Sequence, residues 1–342
     1  MPALAMVAAV VLTLTTVGVL VLARSANQPT KGAIASGPRV SISPTPTPAI
    51  YLPTTVTLSP TSSNVVWALV DYQELFLSTN AGSTWQARSL PAGAASGGRG
   101  QISFVDDRVG WMLIPGSPET QCNGDAAELW RTTDGAATWQ QMTAVDYQSS
   151  RPGGLGYAQC KDGLAFVDAE HGVVTAWDDN HRPTIWRTSD GGATWTASTL
   201  QDPPGFVTQG GGFALHVGTI RSFGRTMVLT ASGRQDGDAL DRFYFFQSVD
   251  GGARWSYLAR LPDTASRAVG VATVSRWLAV SPGGPSLETS DKGRTWHGFT
   301  SDYNQAAGVA PQIVFGDSLT GYATVRGEIQ RTADGGAHWT TL

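Results

Sequence analysis

The sequence predicts an all-β protein in which six four-stranded antiparallel sheets are arranged as the blades of a propeller. Three observations support this fold class. A pattern of eight residues, Ser/Thr-x-Asp-x-Gly-x-x-Trp, occurs six times, and its final tryptophans lie 41 to 60 residues apart, a period typical of propeller blades. Short runs of β-branched and aromatic residues surround each copy. The 40 glycines and 19 prolines provide many turns, and only 15% of the residues are charged.

Each copy of the repeat predicts a capped hairpin turn. An acidic side chain accepts hydrogen bonds from backbone N–H groups just ahead of it, and glycine supplies positive φ. The tryptophan then opens the next strand and buries its ring between neighbouring sheets. We expect a structural role, not a catalytic or metal-binding one, for the repeat positions Asn80, Asp134, Asp190, Asp250, Asp291, Asp334, Trp85, Trp139, Trp195, Trp255, Trp296 and Trp339.

Two copies depart from the pattern. Asn80 stands where the other copies have Asp, and Ala136 stands where they have Gly, with Gly135 beside it. Asparagine can make the same turn hydrogen bonds, so the first departure is mild. Alanine resists positive φ, so the second departure predicts a shifted turn.

The four strands of a blade can be located around each repeat. Strands one to four are predicted at 101–105, 109–114, 128–132 and 138–142 in blade two, at 164–167, 172–177, 184–188 and 194–195 in blade three, and at 312–315, 321–325, 328–332 and 338–342 in blade six. Blade one starts near Thr54 and includes 65–70. Radial closure of such sheets removes long exposed edges. Seven blades are the alternative, because the gap from Trp195 to Trp255 is the widest.

The spacing of the repeat resembles the Asp-box, or bacterial neuraminidase repeat, of sialidases, sortilin-type domains and photosystem II assembly factors. The likeness is closest to the photosystem II assembly and stability factor group, whose repeats resemble the segments 103–111 and 129–135. It covers nearly all of 54–342. In those families the box is a structural turn, and the resemblance implies a scaffold that holds partner proteins. It identifies a fold more than an activity.

The N-terminal part is predicted to form two further segments. Residues 1–24 are a signal anchor or transmembrane helix, since Pro2 to Ala23 has no charged side chain and is long enough to cross a hydrocarbon core of about 30 Å. Residues 25–53 are a tether rich in Pro, Ser and Thr, and the propeller occupies 54–342. A signal peptide cleaved at the small-x-small site 23–25, which would give a secreted protein, is the alternative.

Two features of the sequence give opposite predictions for the orientation of this anchor. No Lys or Arg precedes the apolar segment, whereas Arg24, Lys31 and Arg39 follow it, which by the positive-inside rule predicts a cytoplasmic propeller. The proline-rich stretch 41–48, however, is typical of a stiff tether that holds a domain away from a membrane surface. We therefore expect a single-pass protein of the cell membrane with its propeller outside the cytoplasm.

The two cysteines support the outside location. Cys122 lies in the connection between strands two and three of blade two, and Cys160 lies in the connection from blade two to blade three. Both connections emerge on the face opposite the repeat turns, so the two thiols can meet. We predict a disulfide between them, which persists only in an oxidising compartment; two free thiols are the alternative.

The same face carries the connections that vary most in length, at 115–127, 144–162, 178–183, 200–212 and 232–241. Function on a repeat scaffold usually lies where such insertions map. We therefore predict a binding surface for a protein or glycan there, around blades two to four. Its polar candidates are Tyr147, Arg151, Asp178, Asp179, His181, Arg182, Arg234, Asp236, Asp238 and Asp241.

Catalysis is not established by any motif. A sialidase-like site needs an arginine cluster, a tyrosine nucleophile and an acid/base carboxylate, and the resemblance to sialidases implies an Arg-Ile-Pro motif, for which the nearest string is Leu113-Ile114-Pro115. Neither 178–181 nor 236–238 has the spacing of a known cation-binding loop. We expect no catalytic residue, metal or cofactor. The competing class is a sialidase-like glycoside hydrolase or lyase that uses the central face of the propeller.

Nucleic acid is excluded as a partner by charge. The formal net charge is -4, and the basic residues form no stripe. Binding to a phosphate backbone requires such a positive surface.

Overall fold

The computed structural model describes residues 55–93, 100–115, 126–145, 153–157, 159–177, 183–206, 215–234, 237–238, 241–262, 267–281, 285–303, 312–325 and 327–342. Within these ranges every regular element is a β-strand, and 24 strands form six four-stranded sheets. The chain from Tyr51 to Leu342 is one compact unit. Residues 1–50 form a separate unit, which lies outside the described residues.

The strands follow one another along the chain, four to a blade. In order they are β1 (Val56–Pro60), β2 (Val66–Val70), β3 (Glu74–Ser78), β4 (Gln86–Arg88), β5 (Gln101–Phe104), β6 (Gly110–Pro115), β7 (Ala127–Thr132), β8 (Gln140–Val145), β9 (Cys160–Phe166), β10 (Gly172–Trp177), β11 (Pro183–Thr188), β12 (Thr196–Thr199), β13 (His216–Phe223), β14 (Thr226–Gly233), β15 (Arg242–Ser248), β16 (Ser256–Arg260), β17 (Ala268–Val271), β18 (Trp277–Val280), β19 (Ser286–Thr289), β20 (His297–Phe299), β21 (Gln312–Phe315), β22 (Gly321–Val325), β23 (Glu328–Thr332) and β24 (Thr340–Thr341).

Neighbouring strands within each blade are antiparallel, and their order in the sheet equals their order in the chain. The predicted six-bladed propeller is therefore confirmed. No seventh sheet occurs among the described residues between Trp195 and Trp255. That stretch is wide because blade 4 has long strands: β13 and β14 have 8 residues each.

Two faces can be distinguished from this topology. The turn face carries the hairpin turns between strands one and two and the repeat turns between strands three and four. The loop face carries the connections between strands two and three and the connections from one blade to the next. The inner strands β1, β5, β9, β13, β17 and β21 surround the central axis.

The repeat turns share one set of hydrogen bonds. In the third copy, Thr188 Oγ1 donates to Asp190 Oδ1 at 2.8 Å, and the same oxygen accepts from the backbone N–H of Thr194 at 2.8 Å. The backbone N–H of Gly192 donates to Thr188 Oγ1 at 2.9 Å. The equivalent three bonds occur in the other five copies. Each acidic side chain thus caps its own turn.

The two departures from the repeat keep this geometry. Asn80 Oδ1 accepts from the Thr84 N–H at 2.9 Å, and Asn80 Nδ2 donates to Thr84 Oγ1 at 2.8 Å. The expected shift at Ala136 is wrong: its φ is 64° and its N–H donates to Thr132 Oγ1 at 2.9 Å. Left-handed φ costs an alanine roughly 1 kcal/mol. The Ala136 methyl is fully buried in the core between blades 1 and 2, which offsets that cost.

Adjacent blades are joined by interlocking aromatic rings. Trp67 of blade 1 stacks on Phe104 of blade 2 with ring centroids 3.7 Å apart, and Trp139 packs edge-on against Phe104 at 6.4 Å. Gly110 makes room for the Phe104 ring, because a Cβ at this position would lie 2.0 Å from Phe104 Cδ1. The same arrangement recurs between blades 2 and 3, with Trp111, Phe166 and Trp195.

The ring closes between blades 6 and 1 without a shared strand. Blade 1 uses only β1–β4 and blade 6 only β21–β24. The seam is held by apolar packing of Val56 and Leu58 against Val314 and Tyr322. One polar contact is added by Gln312, whose Oε1 accepts from the Leu58 N–H at 3.4 Å.

Candidate functional site

A central cavity of about 1020 Å³ is lined by the inner strands of all six blades. Its volume is at the upper end of the range of small-molecule sites, about 300–1,000 Å³. Hydroxyl and amide side chains form much of the wall, and some of them join neighbouring blades. Ser59 Oγ accepts from the Phe104 N–H at 2.9 Å, and Ser103 Oγ accepts from the Phe166 N–H at 2.8 Å.

Three charged residues occur among the described residues that line the cavity: Asp162, Arg221 and Asp317. Arg221 lies at the turn-face end, where Nη2 donates to the Gly316 carbonyl at 3.2 Å and Nη1 to the Pro60 carbonyl at 3.5 Å. Its buried Nε has no hydrogen-bond partner. Burial lowers the pKa of Arg221 to about 10, although the charge of Asp317 opposes this shift. The residue remains a cation at neutral pH and spans this end of the channel.

The loop-face end of the cavity is where the symmetry of the ring is broken. The pairing of β9 with β10 skips Asp162, and the pairing of β13 with β14 shifts register at 218–219. The inner strands of the other four blades pair with their second strands in continuous register. Bulges of this kind are enriched beside active sites, because they redirect a side chain. Here they lie in adjacent blades, at the same end of the channel.

Asp162 lines this end of the cavity. Trp177 contacts Asp162, and His216 contacts Trp177, both outside the described cavity lining; we refer to these three residues as the mouth cluster. The indole Nε1 of Trp177 donates a short hydrogen bond to Asp162 Oδ2. The Trp177 and His216 rings are perpendicular, with an interplanar angle of 85° and centroids 5.6 Å apart. Asp162 is exposed, and the two rings are partly buried. Trp177 is the last residue of β10 and His216 the first of β13, so the strand ends position both rings.

Seven of the ten predicted loop-face candidates lie outside the residues that the structure describes. The candidates outside the described residues are Tyr147, Arg151, Asp178, Asp179, His181, Arg182 and Asp236. The other three lie in or beside the connection between β14 and β15 and form ion pairs. Arg234 Nε donates to Asp241 Oδ1 at 3.1 Å. Asp238 accepts two bonds from Arg242, at 2.6 and 2.7 Å, and these bonds raise the pKa of Arg242.

The sequence interpretation missed the mouth cluster and Arg221. It treated 144–162 as a connection, whereas Cys160 to Gly163 belong to β9. The Asp162-Gly163 pair interrupts the apolar pattern of that strand, and this interruption was the available signal for a bulge. A similar signal was the charged Arg221 within the strand-like run 216–223.

Cys160 is buried and 4% exposed. No cysteine among the described residues is free. Cys122 lies outside those residues, so its pairing with Cys160 stays a prediction.

Neither a metal cluster nor a membrane-spanning helix is found in the part of the chain that the structure describes. No group of three or more His, Cys, Asp or Glu side chains there is arranged to hold a metal ion. No helix in this part of the chain has the length and apolarity needed to cross a bilayer. The predicted anchor at 1–24 and tether at 25–53 lie outside it.

Comparison with known proteins gives distant relationships. No family model matches the chain. A xyloglucanase from a Paenibacillus species is 26% identical over 279 residues, which are 70% of this chain and 25% of the xyloglucanase; the chain thus spans about a quarter of that relative.

Solved structures add support for the fold. The Penicillium chrysogenum alpha-L-arabinanase complexed with arabinobiose is similar with a TM-score of 0.52 and 13% identity, over 82% of this chain and 97% of the arabinanase. YCF48 from Cyanidioschyzon merolae has a TM-score of 0.49 and 18% identity, over 85% of this chain and 87% of YCF48. At these identities the likeness to the arabinanase supports the propeller fold and assigns no activity.

Proposed function

We propose that this chain is a non-catalytic propeller that binds a protein or glycan on its loop face, at the mouth of the central cavity in blades 3 and 4. The proposal rests on the pair of inner-strand bulges in these two adjacent blades. The bulge of β9 contains Asp162, which lines the mouth of the cavity. A bulge disrupts the local hydrogen-bond ladder. Two bulges at one end of the channel weaken the pairing of the inner strands there, which favours a binding role for this end over a purely structural one.

The position of the carboxylates argues against glycoside hydrolysis. That reaction usually needs two carboxyl groups about 5 to 9.5 Å apart. Among the described lining residues the carboxylates are Asp162 and Asp317; Asp162 lies in the bulge of β9, and Asp317 lies after the end of β21. With a rise of about 3.3 Å per residue, they lie on the order of 15 Å apart along the axis. They are too far apart to act on one glycosidic bond.

The turn face is proposed as scaffold. The five aspartates and the one asparagine of its repeat turns each cap their own turn. The hydrogen bonds within the turns explain why these residues are present, and no ligand is needed to explain them. The loop face therefore remains the proposed binding surface.

We also propose that the propeller is held outside the cell membrane by the segments 1–24 and 25–53. The apolar length of Pro2 to Ala23 and the proline-rich stretch 41–48 support this location. Secretion after signal cleavage is the alternative. Protease treatment of intact cells or spheroplasts tests it: digestion of the propeller is expected, and protection until the membrane is lysed would contradict it.

A glycoside hydrolase is the second candidate function, and the xyloglucanase relative favours it. In that case Asp162 would supply one carboxylate at the mouth. The second would come from Asp178 or Asp179, which follow Trp177 directly in the sequence.

One set of variants separates the two functions. Membrane extracts are passed over the immobilised chain, and a panel of fluorogenic glycosides is assayed in parallel. Scaffold function predicts captured partners that are lost when 178–182 is replaced by Gly and Ser, but retained in the turn-face control Arg225→Ala. Glycoside turnover that disappears in Asp162→Asn would contradict the scaffold proposal.

A further inference from the structure

We propose that the mouth cluster binds the terminal residue of a neutral oligosaccharide, with Asp162 as the acceptor for sugar hydroxyls and Trp177 and His216 as the apolar wall. The inference rests on the proposed function, because it uses the same loop face, and it specifies the ligand class.

The first support is the orientation of Asp162. The bulge in β9 directs this side chain to the cavity, and the indole of Trp177 fixes its carboxylate through Oδ2. Adjacent sugar hydroxyls are O–H donors, and hydrogen bonds from them to an ionised carboxylate are stronger than neutral ones. A carboxylate held in place by a neighbouring ring loses little freedom when such a ligand binds.

The second support is the pair of perpendicular rings. Trp177 and His216 lie 5.6 Å apart at 85° and form a corner beside the carboxylate. The face of an aromatic ring carries partial negative charge, which attracts the polarised C–H groups of a sugar. A sugar site needs both an aromatic ring and hydrogen-bonding groups, because one surface of a pyranose or furanose is apolar and its rim is polar.

The charge of the described cavity wall favours neutral over anionic ligands. The described lining residues comprise two carboxylates and one guanidinium, which give a net charge of −1 at neutral pH. Arg221 already faces two carbonyls and the charge of Asp317. The remaining wall offers hydroxyl and amide groups, such as Thr57, Gln101 and Gln312, which suit a neutral hydroxyl-rich chain.

The shape of the cavity favours the end of a chain over its middle. Arg221 reaches across the turn-face end of the channel to two other blades, which favours entry of a ligand from the loop face. A linear polymer can then insert its terminus, with the following residues extending outwards. The volume of about 1020 Å³ is sufficient for more than one sugar ring.

Protein partners are less well matched by the described part of the loop face. Protein interfaces depend on buried aromatic or aliphatic anchors. The exposed large hydrophobic side chains of the described residues are Val249, Leu319 and Leu342. Val249 and Leu319 lie on the turn face, in the repeat turn of blade 4 and the first hairpin turn of blade 6.

In the test, the full chain is titrated with cellotetraose, maltotetraose and arabinotetraose, and the heat of binding is measured by calorimetry. Tetragalacturonate is the anionic control. We expect at least one neutral tetraose to bind without turnover. Asp162→Ala should weaken that binding roughly 10- to 100-fold, because a charge-assisted hydrogen bond is lost. Trp177→Phe keeps a ring but removes the indole N–H, and should weaken binding less.

Matched controls address folding and position. Arg225→Ala alters an exposed residue of the turn face, away from the mouth cluster, and should leave the affinity unchanged. If Asp162→Ala does not fold, Asp162→Asn and Thr219→Val alter the mouth with little change in volume, and each should weaken the same tetraose.

Several results would overturn the inference: no binding by any neutral tetraose, equal affinity in the Asp162→Ala and Arg225→Ala variants, or tighter binding of tetragalacturonate. If loop-face capture of a partner from membranes survives Asp162→Ala and no tetraose binds, the glycan inference is wrong while the scaffold proposal stands. If capture fails as well, both are wrong.

Discussion

Arg221 Nη2 donates to the carbonyl oxygen of Gly316 at 3.2 Å across the central channel. Arg221 belongs to blade 4, and Gly316 follows the inner strand of blade 6. Nη1 of the same guanidinium reaches Pro60 of blade 1. These two carbonyls belong to the two blades that close the ring without sharing a strand. A single side chain on the far side of the ring therefore connects both sides of the seam.

Arg221→Ala is expected to lower the free energy of unfolding by roughly 1–3 kcal/mol, because two charge-assisted hydrogen bonds to backbone carbonyls are lost. Arg221→Met should cost less, since it keeps volume and removes a buried charge. Chemical denaturation measures both. Arg225→Ala, an exposed neighbour, is the control and should lie within about 0.5 kcal/mol of wild type; a similar value for Arg221→Ala would show that the cross-channel bonds add no stability.

Asp190→Ala should lower the free energy of unfolding by roughly 0.5–2 kcal/mol, as the loss of other capping side chains does. Asp190→Asn should be nearly neutral, because Asn80 makes the equivalent bonds in the first turn. Thermal melts of both variants check this. A loss of ligand binding in Asp190→Ala at unchanged stability would contradict the structural role of the repeat turns.

Acid should destabilise the propeller through its repeat turns. Hydrogen bonds, above all from the side chains of Thr138 and Thr295, lower the pKa of Asp134 and of Asp291 from 3.8 to about 2. Because the unfolded chain binds these protons more readily, the stabilisation is complete above about pH 5 and is lost as the pH falls through 4 towards 2. Melting temperatures from pH 2 to 6 measure the slope. The double variant Asp134→Asn and Asp291→Asn should flatten it, and an unchanged slope would contradict the assignment.

Gly110→Ala should lower the free energy of unfolding by roughly 1–3 kcal/mol through overpacking. The new Cβ would meet the ring of Phe104 and disturb its stack with Trp67. Gly298→Ala, in the exposed strand β20, has no atom within 4 Å of the added Cβ and should be neutral or slightly stabilising. Denaturation curves of the two variants give the comparison. Equal effects would show that the blade interface adapts to the extra methyl group.

The disulfide between Cys122 and Cys160 is tested by peptide mass mapping. Digestion without reductant should yield one linked fragment containing both cysteines, and reductant should separate it into two. Identical fragments under both conditions would refute the pairing. Loss of the bond should destabilise the protein, because the unfolded chain gains freedom.

The sequence alone was sufficient to predict the six blades and their turns. The side-chain bonds within a repeat turn join residues at most four positions apart, such as Thr188 to Gly192 and Asp190 to Thr194. One further backbone bond, such as Gly191 N–H to the Glu170 carbonyl, ties each turn to the first hairpin turn of its blade. Local hydrogen bonds and positive φ are properties of a short segment, so the same eight-residue pattern folds the same way in each blade. The Ala136 turn was misjudged because the burial of its methyl group depends on the neighbouring blade.

The candidate site was decided by the tertiary structure. Arg221 meets Gly316 and Pro60 across 95 and 161 residues of chain, and Trp177 approaches His216 only because blades 3 and 4 pack side by side. A bulge depends on the register between two strands, which no single strand encodes. The repeat determined the scaffold through local hydrogen bonds, whereas the convergence of Asp162, Trp177 and His216 required blade 3 to pack against blade 4.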